Sequence, residues 1–153
     1  MDITKHDKLS SLGLLILRIG MGGYLATHGW GKVQMVMNDQ AAMFGDPIGI
    51  GPALSLYLVA FAEFVCAILV ILGLGTRFAA IPVIVTMAVA AFVAHGSDPW
   101  TMQAAAEAFF SGASKSWASK QPALMFLVPF LALVFTGAGE YSLDALIAKR
   151  RKR

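Results

Sequence analysis

The stretch that decides the fold is residues 53–73, which read ALSLYLVAFAEFVCAILVILG and contain one charged residue, Glu63. A helix of about 20 apolar residues can span the hydrocarbon core of a bilayer. The whole chain of 153 residues shares this character, because 58% of it is hydrophobic and 14% is charged, whereas soluble domains carry about 25% charged residues. The sequence therefore predicts a single membrane domain over residues 1–153.

Three further apolar segments accompany this one. We predict helices over 11–30, 53–73, 78–94 and 122–136, which together make an all-α transmembrane four-helix bundle. The second and third segments show almost no polar stripe at helical spacing, so their surfaces suit lipid rather than water. The short link 74–77 predicts an antiparallel hairpin between them.

Lys and Arg are unevenly divided between the two ends of the predicted bundle. Most of them lie with the termini, and such an excess is typical of the cytoplasmic side of a membrane. We therefore expect the N- and C-termini to be cytoplasmic. The inner segments hold Lys5, Lys8, Arg77 and the basic run 149–153, whereas the outer loops hold Lys32, Lys115 and Lys120.

Residues 142–153 predict a basic surface helix after the last span. Ser142 suits the N-cap position, and Asp144 suits the positive end of the helix dipole. Leu146 and Ile147 belong to an apolar strip beneath the basic residues, as in helices that lie on an anionic leaflet. The basic residues lack interleaved aromatic side chains, so we expect the lipid bilayer and no nucleic acid as a partner.

Two ionisable residues lie inside the predicted spans. Charged groups in a membrane are costly, and they usually face the bundle interior beside a partner. Counted from the predicted helix ends at 1.5 Å per residue, Arg18 and Glu63 differ in depth by roughly 5 Å. We therefore predict an intramembrane ion pair between Arg18 and Glu63. Such a pair would either lock two helices together or serve a polar headgroup or a proton route.

Two histidines form a second group. His28 and His95 lie at the same outer end of the predicted bundle, and Lys32 follows His28 by one helical turn on the same face. We predict a ligand pocket lined by His28, Lys32 and His95, although no catalytic residue can be assigned. The histidines would bond to water or lipid headgroups, hold a quinone or another small molecule, or bind haem. A histidine beside a quinone oxygen could exchange its proton. The cofactor stays open, with quinone placed ahead of haem, and we expect no metal site because no further soft ligand lies nearby.

Three short motifs carry a family resemblance. They are LRIG at 17–20 with HGWGK at 28–32, Glu63 with LGLGTR at 72–77, and TGAGEYSLD at 136–144. In this order and spacing they resemble the DoxX family of small bacterial membrane proteins, over nearly the whole chain. The resemblance implies a four-helix fold and a multi-pass protein of the bacterial cytoplasmic (inner) membrane.

The resemblance also implies a function. The family is named for a subunit of a thiosulfate:quinone oxidoreductase, so this chain is expected to be a subunit of, or accessory to, a quinone-linked membrane redox system. A protein partner or a homo-oligomer is then expected, with the long third loop 99–120 as a docking surface. The alternative is a non-catalytic structural or assembly subunit of a larger membrane complex. A third hypothesis, a small transporter, requires a water-filled path to Glu63. Whether the chain is an enzyme stays open.

Overall fold

The structure, a computed structural model, describes residues 3–151 and the side chains from Lys8 onward. Within this range the chain is helical and contains no strand, which confirms the predicted all-α fold. A short 3-10 turn, Ala41–Met43, follows the first helix. The helices are α1 (Ile3–Met37), α2 (Pro52–Leu72), α3 (Thr76–Ala94), α4 (Met102–Phe110), α5 (Gln121–Thr136) and α6 (Leu143–Arg151).

Among the described residues, three helices are long and apolar enough to cross a membrane, namely α2, α3 and the part of α1 from Lys8 to Met37. The fourth apolar helix, α5, has 16 residues, which is fewer than the roughly 20 that a straight span needs. It begins at Gln121 with Pro122 in its first turn, where a missing N–H costs nothing. The bundle therefore combines three full-length helices with one short one.

The first helix differs most from its predicted bounds. The sequence predicts a span over 11–30, whereas α1 runs from Ile3 to Met37 and has 35 residues. Hydropathy marks only the apolar part of a helix, and no proline interrupts the polar turns that flank it. The helix ends before Asp39, whose φ of 53° is left-handed. With 35 residues against the 21 of α2, α1 cannot have both of its ends level with the ends of α2.

The hairpin between α2 and α3 turns on two glycines. Gly73 ends α2 with a φ of 69°, and Gly75 precedes α3 with a φ of 58°. Both values are left-handed, a conformation that glycine adopts without steric cost. The side chain of Asp144 closes the turn, because its carboxylate accepts hydrogen bonds from the N–H groups of Gly75 (2.8 Å) and Thr76 (3.2 Å).

The C-terminal helix therefore fastens one end of the bundle. The predicted N-cap is confirmed, because the hydroxyl of Ser142 accepts a hydrogen bond from the N–H of Ala145 (3.2 Å). Asp144 does lie in the first turn of α6, but its carboxylate caps α3 rather than its own helix. Lys152 and Arg153, which belong to the predicted surface helix, lie outside the described residues.

The packing order follows the chain. α1 lies along α2, α2 pairs with α3, and α3 makes its most extensive contacts with α5. Ala80, Val83, Met87 and Ala91 recur about once per turn on the buried face of α3. Small and medium side chains on one helix face let neighbouring helices approach closely in a membrane. The buried core consequently draws side chains from α1, α2, α3 and α5, and Phe130 of α5 is fully buried in it.

Two turns of wider π-helix interrupt the long helices. One spans Phe61–Cys66 in α2 and contains Glu63, and the other spans Ala90–Ala94 at the end of α3, just before His95. A π-turn inserts one extra residue into a helix and is frequent at functional sites. Both turns lie at the level of the predicted pocket.

Candidate functional site

The structure brings the three predicted pocket residues together. His28, Lys32 and His95 all line one cavity of about 280 Å³. Glu63 lines the same cavity, although the sequence predicts a different partner for it. The cavity is therefore lined by two imidazoles, one ammonium group and one carboxylate, which come from three helices or helix ends.

Glu63 forms its ion pair with Lys32. The distance from Nζ of Lys32 to Oε2 of Glu63 is 3.5 Å, and 26% and 10% of the two side chains are exposed. Oε2 is buried and, among the described residues, receives no hydrogen bond. The carboxylate thus has a charge partner, but its Oε2 atom has no hydrogen-bond donor in the described structure.

The predicted pair between Arg18 and Glu63 is not formed. Along the antiparallel helices, Gly29 faces the backbone of Glu63, whereas Arg18 lies beside Val70 and Ile71. Eleven residues of α1 separate Arg18 from Gly29, which is about 16 Å along the helix axis. The prediction was wrong because it placed residue 11, the predicted start of α1, level with the hairpin end of α2, whereas Arg18 itself lies at that level.

Arg18 instead joins three segments at the end of the bundle that holds the termini. Its Nη1 donates hydrogen bonds to the carbonyls of Val70 (3.3 Å) and Ile71 (3.1 Å), and its Nη2 donates to the carbonyl of Tyr141 (2.5 Å). Gly73 leaves room for the guanidinium, since a Cβ there would overlap Nη1. Arg18 is fully buried, and its role in this structure is to bind carbonyls at the end of α2 and in the segment before α6.

The close approach of α1 to the π-turn depends on Gly29. A Cβ at this position would lie 2.5 Å from both the carbonyl oxygen of Glu63 and the amide nitrogen of Phe64. Neither backbone atom can move away as the end of a flexible side chain could. The glycine thereby lets Lys32, one turn further along α1, reach the carboxylate of Glu63.

The two histidines are held by different neighbours. Nδ1 of His95 lies 2.8 Å from Oδ2 of Asp98, a contact that fixes the orientation of the ring. The ring of His28 meets the ring of Phe126 edge to face, with 5.9 Å between the centroids. Ser119 lines the same cavity, and its hydroxyl is buried and, within residues 8–151, has no hydrogen-bond partner.

A second cavity of about 340 Å³ shares part of this wall. Lys32, Glu63 and His95 line it as well, together with apolar residues of α2 and α3. Its remaining boundary is the loop 44–50, which crosses the cavity between the short 3-10 turn and α2. The ion pair and His95 thus border both spaces.

The side chain of Asp46 holds this loop in place. Its carboxylate accepts hydrogen bonds from the N–H groups of Gly51 (2.8 Å) and Ile50 (3.0 Å) and from the hydroxyl of Ser55 (2.9 Å). The hydrogen bond from Gly51 is the largest cause of a pKa of Asp46 below its ordinary value. Desolvation, the second cause, raises this pKa, and the hydrogen bonds from Ser55 and Ile50 lower it further. The loop is therefore attached to the first turn of α2.

Several site residues are not identified by the sequence. Asp98 could have been found, because an acidic residue three positions after His95 is a common partner for a ring nitrogen. Ser119 carries no such signal, since it reaches the cavity only through the fold of the long loop. Among the described residues, no group of three or more His, Cys, Asp or Glu side chains is placed to hold a metal ion.

A bundle of long apolar helices with a charged pocket at one end defines a multi-pass membrane protein. The family model described as DoxX matches residues 13–96, and this chain belongs to the DoxX family. The match includes Arg18, His28, Lys32, Glu63 and His95 within its bounds. Four of these residues line the cavity, so the segment that the family model covers supplies all the His, Lys and Glu side chains of the pocket but only half of its lining residues.

Two relatives match along most of their length. The chain is 30% identical over 143 residues to the inner membrane protein YqjF of Escherichia coli, covering 94% of this chain and 98% of that protein. It is 31% identical over 144 residues to the uncharacterised membrane protein Rv3486 of Mycobacterium tuberculosis, covering 91% and 78% respectively. No solved structure matches the chain. Family and apolar helices together make it a multi-pass bacterial inner-membrane protein.

Proposed function

We propose that this protein serves a quinone-linked membrane redox system, by binding the quinone headgroup in the cavity of about 280 Å³. The observation that carries the proposal is the mixed lining of this cavity, which includes both polar and apolar side chains. His28, Lys32, Glu63 and His95 supply the polar groups, while side chains such as Phe126 supply apolar walls. Cavities of this kind, with a few convergent polar groups, are typical ligand sites.

Two polar atoms without hydrogen-bond partners among the described residues indicate a ligand whose oxygens can both donate and accept hydrogen bonds. Oε2 of Glu63 and Oγ of Ser119 are buried without hydrogen bonds in the described residues, a state that costs free energy unless a ligand or water supplies a partner. The ammonium of Lys32 would donate to a carbonyl oxygen of the ring. The carboxylate of Glu63 would accept from a hydroxyl of the reduced ring.

Reduction of a quinone to a quinol takes up two electrons and two protons. In this proposal the electrons come from a partner enzyme of the redox system. His28 and His95 exchange protons with the ring oxygens, a role that suits imidazole near neutral pH. Asp98 orients the ring of His95 through the 2.8 Å contact, so that Nε2 is free to face the cavity.

The orientation of the chain remains part of the proposal. The excess of Lys and Arg with the termini favours cytoplasmic ends, which would place the cavity at the opposite face of the membrane. A reporter enzyme fused to the C-terminus, active only in the cytoplasm, tests this arrangement. Activity of a reporter that functions only outside the cytoplasm would contradict it.

Quinone content tests the proposal directly. The protein is purified from membranes in mild detergent, and the lipophilic extract is separated by chromatography and measured by absorption. We expect the wild type to retain about one quinone per chain, and Lys32→Met to lose most of this bound quinone. Lys115→Met is the matched control, because Lys115 is exposed and does not line the cavity.

The competing hypothesis of a non-catalytic assembly subunit predicts a different outcome. Quinone would then be absent, or equally abundant in Lys32→Met and Lys115→Met. Substitution of His28 and His95 would also leave co-purification with partner chains unchanged. That combination would overturn the proposed function.

A further inference from the structure

A groove of about 910 Å³ lies at the other end of the bundle, near the termini. Its floor is apolar and comes from α2 and α3, through side chains such as Leu69, Phe78 and Pro82. One wall comes from α6, through Ile147 and Ala148. None of the lining residues borders the two cavities described above, so this groove is independent of the proposed quinone site.

The length of the groove matches one leaflet of a membrane. Its lining runs along α2 from Leu74 at the hairpin to Phe61 at the π-turn. The thirteen steps from residue 61 to residue 74 correspond to about 20 Å at 1.5 Å per residue. Half of a hydrocarbon core of about 30 Å is roughly 15 Å. An acyl chain that lies parallel to the helices would therefore fit along this floor.

The mouth of the groove carries one basic side chain, Arg151 in the last turn of α6. Lys149 and Arg150 share that turn but do not line the groove. Asp144 also lines the groove, but its carboxylate is engaged by the N–H groups of Gly75 and Thr76. A phosphate at the mouth would thus contact the guanidinium of Arg151, which forms no ion pair with Asp144 in the described structure.

We infer that this groove binds one anionic phospholipid, with an acyl chain against α2 and α3 and the phosphate at Arg151. The separation of an apolar floor from a basic mouth is the same separation that divides a phospholipid into chain and headgroup. Basic pockets between membrane helices on one face are known sites for anionic headgroups. The lipid would fill the space between α6 and the hairpin, and would hold α6 against the bundle.

Lipid retention tests the inference. The full chain is purified, exposed to mixed micelles that contain phosphatidylglycerol and phosphatidylcholine with identical acyl chains, and weighed by native mass spectrometry. We expect one retained lipid per chain, with phosphatidylglycerol preferred. Arg151→Gln should lower that preference roughly fivefold, as expected for the loss of one basic residue near a headgroup. Arg150→Gln is the control, because Arg150 does not line the groove.

A second pair of variants tests the apolar floor. Ala148→Trp should fill the groove and abolish retention of both lipids, whereas Ala132→Trp, at an exposed position of α5 outside the groove, should not. The inference is overturned if both lipids are retained equally by the wild type, or if Arg150→Gln and Arg151→Gln act alike. It is also overturned if Ala148→Trp separates two copies of the chain and leaves the bound lipid in place. Arg151→Gln leaves the floor intact and gives a result even if Ala148→Trp does not fold.

Discussion

Lys32 on α1 and Glu63 on α2 face each other across the helix interface, with 3.5 Å between Nζ and Oε2. The pair borders both cavities at this end of the bundle, and it exists because Gly29 brings the two backbones together.

The ion pair should couple Lys32 and Glu63 energetically. We expect Lys32→Gln and Glu63→Gln each to destabilise the protein, with a coupling free energy of about 1–3 kcal/mol, between the values for exposed and fully buried pairs. A double-mutant cycle of unfolding in detergent measures it. Additive single effects would mean that the contact contributes nothing. The pair Lys115→Gln with Glu63→Gln supplies the uncoupled control, because Lys115 has no ion pair in the described structure.

Gly29→Ala should disrupt the site by steric overlap. The added Cβ would lie 2.5 Å from backbone atoms of Glu63 and Phe64, so we expect a loss of at least about 2 kcal/mol in unfolding free energy, as for an overpacked core. The control is Gly23→Ala on the same helix, where no atom lies within 4 Å of the new Cβ. That variant should be neutral or stabilised by up to about 1 kcal/mol. Equal thermal unfolding of the two variants would contradict the close approach.

Arg18→Met should weaken the end of the bundle that holds the termini. It removes three hydrogen bonds from a charged donor to the carbonyls of Val70, Ile71 and Tyr141, and we expect a loss of about 3–5 kcal/mol. Arg77→Met provides a matched comparison, because Arg77 is exposed and donates to the carbonyl of Phe135 (3.1 Å). Its expected cost is about 1 kcal/mol. Similar losses in both variants, measured by thermal unfolding, would count against the assigned role of Arg18.

The loop that Asp46 holds should loosen in acid. Because the hydrogen bond from Gly51 lowers the pKa of Asp46 in the folded state, the unfolded chain binds more protons between the two pKa values. The stabilisation is therefore complete above the unfolded value of about 3.9 and is lost as pH falls through the lower folded value. Asp46→Asn should remove this pH dependence, which hydrogen exchange of residues 46–55 can follow. A difference between wild type and variant that persists unchanged at the lowest pH would contradict the prediction.

Much of the architecture could be predicted from the sequence because hydropathy and turn residues are local properties. The apolar run 53–73 and the glycines at its end define α2 and the hairpin without reference to any other part of the chain. The two ends of α1 were harder to predict from the sequence. Polar turns at both ends continue the helix, and a hydropathy pattern gives no signal where a helix leaves the membrane.

The candidate site was only partly predictable for the same reason. His28, Lys32 and His95 could be grouped because they lie near corresponding helix ends, and the structure places all three on one cavity. The partner of Glu63 could not be assigned, since it depends on how α1 and α2 are aligned. That alignment is set by Gly29 against the π-turn, a long-range contact that no periodicity reveals.

Tryptophan fluorescence tests the central claim, that the cavity binds a quinone headgroup. Trp117 lines the cavity, whereas Trp30 and Trp100 do not, so Trp30→Phe with Trp100→Phe leaves one local probe. Titration with a short-chain quinone should quench this probe with a saturable curve, and adding Lys32→Met should weaken the apparent affinity at least about tenfold, the effect of losing about 1.4 kcal/mol. Quenching that rises without saturation, and is the same with and without Lys32, would contradict the account.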